Sequence, residues 1–180
     1  MDIFDFLLVG IEAGIALAGF AGIIATYQIN DVTRIRRAPV AALTVIVQFS
    51  LLAALVCATS LCLSAFGVAG ESLWAVNSMN GAIITIIGAY SIAKSMKGGF
   101  TRKSNWTVFV ILQGIGALVA LAMILNALNI VFHRQPGPFI AGIIYALGVA
   151  SYMFSRLLLL PLWRIVKEHE SEKAAGTSSA

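Results

Sequence analysis

Five apolar runs, each about as long as a bilayer is thick, constrain this chain more than anything else in it. Roughly 30 Å of hydrocarbon needs about 20 residues of α-helix. A membrane β-barrel would instead show alternating segments of about ten residues, and none is visible. The runs cover residues 3–27, 41–66, 73–91, 106–132 and 139–163. Only 11% of the 180 residues are charged, against about 25% in ordinary soluble domains. We therefore expect an all-α integral membrane protein: one bundle of five transmembrane helices over residues 1–163, then a polar tail over 164–180 that begins helical and becomes disordered. The N-terminus is acidic (Asp2, Asp5) and lacks the basic stretch of a cleavable signal, so the first helix is expected to be retained.

Charge orients the bundle. Ten of the 12 Lys and Arg lie in the linkers after the first and third runs and in the tail. Arg134 alone falls on the opposite side, and Arg156 lies inside the last run. Basic loops stay cytoplasmic, which puts the N-terminus outside and the C-terminus in the cytoplasm. Trp74, Trp106 and Trp163 sit at span ends, where amphipathic rings prefer the interface. The expected location is the cell membrane, the inner membrane if bacterial. The net charge of +4 is then a matter of topology, and no nucleic-acid partner is expected.

The first run carries Gly10, Gly14, Ala18 and Gly22 at four-residue spacing, a stripe suited to close helix packing. Glu12 points the other way, with Ala16 and Gly19 near its azimuth. Two faces without bulk predict a helix central to the bundle. Gly81 and Gly88 on the third run are read as packing positions too.

Counting residues inward from the outer ends sorts the polar groups into layers. Glu12, Thr59, Ser60, Asn80, Asn126 and Tyr145 fall at comparable outer depths, and Gln48, Gln113 and Arg156 lie deeper. Tyr145, Tyr152 and Arg156 share one face of the fifth run, and Gln48 and Thr59 share one face of the second. Asn77, Gly81, Thr85, Gly88 and Ser91 make a small or polar stripe on the third, so three runs offer a polar face linking the layers. Asn77 and Asn80 are also readable as interhelical glue, as is Gln113. A Glu12–Arg156 salt bridge is excluded by depth. Arg156 reads as a snorkelling side chain or as part of the inner layer, and Pro161 is expected to bend the inner end of the last helix.

An ionised carboxylate in hydrocarbon is costly, so Glu12 must face protein or water or be protonated. Three readings stand: an ion- or proton-binding group, a structural acid held by Asn80 or Tyr145, or a headgroup-level residue on a helix that starts later.

The motifs exclude much else. His133 and His169 lie on opposite sides of the membrane and cannot share a metal or haem. Cys57 and Cys62 are about 140° apart on one helix, which bars a disulfide between them and leaves them as small buried residues. No hydrolase, metalloprotease or phosphate-loop motif occurs. No enzyme, cofactor or metal is expected.

The leading expectation is a homo-oligomeric channel or small transporter for an ion or small polar solute. Glu12 would interact with the ion, Asn77, Asn80, Thr59 and Tyr145 would complete the outer layer, and Gln48, Gln113, Tyr152 and Arg156 the inner one. The alternative is a non-transporting accessory or scaffold subunit of a larger membrane complex. The partners are accordingly the bilayer and either a second copy or another membrane protein.

Overall fold

The computed structural model describes residues 2–29, 37–96 and 103–177, with side chains over 2–26, 42–94 and 107–159. The chain is all-helical over these residues apart from its connections. The helices are α1 (Ile3–Ile29), α2 (Arg37–Ala65), α3 (Gly70–Met96), α4 (Lys103–Ala127) and α5 (Gly137–Thr177). All five contain a stretch long and apolar enough to cross a membrane: Ile3–Thr26, Ala42–Ala65, Gly70–Lys94, Thr107–Ala127 and Gly137–Leu159. Apart from Lys94, the basic residues of the linkers and tail that oriented the sequence lie outside the described side chains, as do Trp106, Pro161, Trp163 and His169.

Helix ends follow local chemistry. At the end of α2 the Val68 amide donates to the Leu63 carbonyl and the Gly67 amide to Ser64, with Gly67 at φ +84°. That pairing is a Schellman stop, and it uses the left-handed conformation glycine adopts freely. α4 ends the same way without a glycine: Ile130 donates to Leu125 and Asn129 to Asn126, with Asn129 at φ 60°. Asparagine tolerates that conformation best among residues with a Cβ. The fourth run was expected to stay helical to residue 132; α4 stops at Ala127 because Asn129 reverses the chain, although Ile130, Val131 and Phe132 prolong the apolar run. Pro138 stands in the first turn of α5, where its missing amide hydrogen costs nothing.

Five antiparallel passes put the N-terminus of α1, the α2–α3 turn and the α4–α5 connection at one end of the bundle. α5 packs on every other helix, α2 on α1, α3 and α5, and α4 on α3 and α5. The bundle is thus three helix triplets hinged on α5. Half of the α2 span is buried, against 22% for α1 and 17% for α4. Near the α2–α3 turn the core is Leu7, Val56, Cys57, Met123, Phe139 and Ile143. Deeper clusters centre on Phe49 with Val149, and on Ile46 with Ala21 and Leu157.

This corrects the expected place of α1. It is an edge helix, packed on α2 and to a lesser extent α5, because only one of its two small faces is filled. A Cβ built at Gly14 would lie 2.5 Å from the Ser50 carbonyl oxygen, and one at Gly10 would lie 2.8 Å from Cys57 Sγ. Ala18 is half-buried, and at Gly22 an added Cβ meets nothing within 4 Å. Four residues advance about 400° round a helix, so the stripe drifts about 40° per repeat. By Gly22 it has rotated out of the contact, and Ala21, wholly buried, has taken over.

Candidate intramembrane polar sites

Glu12 stands nine residues below Ile3, about 13 Å into α1 at 1.5 Å per residue. Because α1 begins at Ile3, a later helix start does not account for this acid. Its side chain is exposed on the outward face of α1 and makes no hydrogen bond or ion pair among the described residues. The residues a turn or two below it on that face, Ile15, Ala16 and Gly19, are also exposed, and a Cβ added at Gly19 meets nothing within 4 Å. Neither expected partner reaches it. Tyr145 on α5 donates its hydroxyl to the Leu112 carbonyl of α4 at 3.1 Å, and Asn80 is half-buried on α3, a helix outside the α1–α2–α5 triplet.

Several of the other intramembrane polar groups serve as ties between helices or within one. Asn126, wholly buried near the end of α4, uses its Nδ2 twice: to Ser78 Oγ on α3 and to the Gln135 carbonyl, both at 2.8 Å. One amide so clamps α3, α4 and the connection into α5. Gln113 donates to the Ala89 carbonyl at 3.2 Å, tying α4 to α3 at a deeper level. Tyr145 lies against Gly116, where any Cβ would overlap its hydroxyl, so the glycine opens the slot that lets α5 reach an α4 carbonyl. Thr59 and Ser60 both donate to the Val56 carbonyl, and Thr85 to Gly81, each within its own helix. Asn77 is wholly buried with both amide atoms unpaired, as are Ser50 Oγ and Asn126 Oδ1.

The sequence-expected layers therefore assemble only in part. Asn77, Thr59 and Tyr145 are buried or half-buried, but Thr59 bonds within its own helix, Tyr145 bonds across to α4, Asn77 has no partner, and Glu12 is on the outside. In the deeper layer Gln113 is tied to α3, Gln48 and Arg156 are half-buried, and Tyr152 is exposed. The spacing places Asn126 in the outer polar layer but does not give its partners, since Ser78 and the Gln135 carbonyl are 48 and nine residues away.

Where α2, α3, α4 and α5 meet, a cavity of about 30 Å³ remains. Phe49 and Val56 of α2, Gly81 and Gly88 of α3 and Phe139 of α5 help to line it. Of the stripe on α3, Gly81, Thr85 and Gly88 face this mostly apolar cavity, Asn77 is buried elsewhere, and Ser91 is exposed. Thr85 is the one hydroxyl in the lining, and it is spent on its own helix. A water needs two to four polar partners, and this lining does not supply them. The Met123 thioether fills the slot between two glycines: a Cβ at Gly142 would lie 2.8 Å from its Sδ, and one at Gly81 would collide with its Cε.

At the end of the bundle, Glu71 and Arg134 pair at 4.0 Å across the two connections, with His133 and Arg134 both at positive φ. Phe66, Ile130 and Val131 are exposed beside them. Among the described residues no three His, Cys, Asp or Glu side chains gather to hold a metal, and both cysteines are free thiols, Cys57 buried as expected but Cys62 exposed on the other side of α2. Comparison with known protein families, curated proteins and solved structures found no match to this chain.

Proposed function

We propose that this chain is an accessory or scaffold subunit of a larger membrane assembly, joined to it inside the bilayer through α1. The observation that carries the reading is the position of Glu12. Among the described residues it is an unpartnered acid on an outward helix face, beside exposed Ala16 and beside Gly19, where nothing lies within 4 Å of an added Cβ. Leaving a carboxyl group against lipid costs several kcal/mol, by about 3 kcal/mol on insertion scales for Asp, and a neighbouring protein helix removes that cost. The interior supports the same reading: Gln113, Asn126 and Tyr145 tie helices together, and the lining of the cavity is mostly apolar.

The position of Glu12 also favours a second reading, a homo-oligomeric channel or transporter for an ion. In that case the path runs between copies along the α1 faces, with Glu12 as a ring of acids, and not through the protomer. The N-terminus is placed outside and the C-terminus in the cytoplasm on the basic-linker count alone.

Purified protein in proteoliposomes separates the two. The accessory reading expects a monomer without cation or proton flux above empty vesicles. Flux that falls in Glu12→Gln would replace it with the channel.

A further inference from the structure

Resting on the accessory-subunit reading, we propose that the Glu12 face of α1 docks a transmembrane helix of another protein that carries a lysine or arginine at the level of Glu12. Charge complementarity selects this occupant. A lone acid and a lone base are each unfavourable in hydrocarbon, and pairing them relieves both. This chain has no cation of its own at that level among the described residues. Arg156 stands 19 residues into α5, about 28 Å from the end at which α1 begins, against about 13 Å for Glu12. Arg134 is at the end itself and is paired with Glu71. A second copy in the same orientation therefore brings no base to Glu12, and the partner is a different chain.

The surface around the acid has the shape for such a contact. Ala16 and Gly19 follow Glu12 at spacings of four and three residues, so a partner backbone can approach closely just below the charged pair. Leu8, Ile15 and Ile23, all about half exposed, flank the seam and supply apolar contact. The opposite face of α1 is unavailable, since α2 fills it at Gly10 and Gly14.

The test uses the full chain, fluorescently labelled, in phosphatidylcholine vesicles. The probes are synthetic leucine–alanine helices of about 20 residues with lysine, leucine or aspartate at the centre, so that either insertion direction presents the guest near Glu12. Energy transfer should report the lysine helix binding at least about tenfold more tightly than the leucine helix. Glu12→Gln should bring the two to parity, and Glu12→Lys should move the preference to the aspartate helix. Equal binding of all three helices overturns the proposal, and so does a lysine preference that survives in Glu12→Gln. Energy transfer between labelled copies that vanishes in Glu12→Gln also overturns it, in favour of self-association. Glu12→Gln removes no packed or hydrogen-bonded group, so it tests the contact even if Glu12→Lys fails to insert. Cation flux from the chain alone in the same vesicles would sink the accessory reading, whereas the helix preference is scored separately.

Discussion

The two small-residue faces of α1 are made of the same kinds of residue and have opposite fates. On one, Gly10 and Gly14 let α2 approach until backbone meets backbone at Ser50. On the other, Ala16 and Gly19 leave a groove that nothing among the described residues enters. The difference is the acid. A face containing Glu12 cannot be buried against the apolar sides of α2 or α5 without stranding a carboxyl group, so the uncharged face takes the intramolecular contact. Small residues permit close packing; the polar group among them decides which partner is acceptable.

The sharpest way to break this contrast is to add bulk to each face in turn. Gly14→Leu should cost about 3 kcal/mol or more, because the obstacle is a main-chain oxygen that cannot rotate away. Thermal or denaturant unfolding in micelles should show it, and Gly19→Leu should shift the same curve by less than about 0.5 kcal/mol. Equal losses at the two positions would mean that both faces are packed.

A smaller effect is expected where polar groups serve as ties inside the bundle. Asn126→Leu gives up the bonds to Ser78 and to the Gln135 carbonyl and should cost about 1–2 kcal/mol in the same assay. Tyr145→Phe loses a single bond to the Leu112 carbonyl and should cost about 0.6 kcal/mol. The smallest shift belongs to Glu12→Gln. Its stability in micelles should match the parent within about 0.5 kcal/mol, because the side chain has no hydrogen bond or ion pair among the described residues. Loss of more than 1 kcal/mol there would place the acid inside the bundle.

Much of the architecture is legible in the sequence, because the bilayer demands long apolar helices and the chain supplies them in uninterrupted runs. The choice between the faces of α1 is not. Both have glycine and alanine at suitable spacing, and only the packed bundle reveals that α2 reaches Gly14 while α3 stays away from Glu12. Period was a further trap: a strict four-residue repeat looks continuous on paper but turns away from its neighbour, so Gly22 reads as packing while Ala21 performs it. Hydropathy hid the stop at Asn129, since Leu128, Ile130, Val131 and Phe132 continue the apolar run past the end of α4. Among the polar candidates, depth was readable and partnership was not. Tyr145 and Glu12 fall at similar levels, yet the tyrosine turns to Leu112 through the slot at Gly116, a contact that depends on how α4 and α5 are rotated.

The central claim is that Glu12 lies on an outward face of an edge helix, and a spin label at that position tests it most directly. In a Cys57→Ala, Cys62→Ser background, labelled Glu12→Cys in lipid bilayers should be mobile and readily reached by dissolved oxygen. A label at Ala21, by contrast, should be immobile and protected. A label at position 12 that is as immobile and protected as the one at 21, in monomeric protein, would contradict the account.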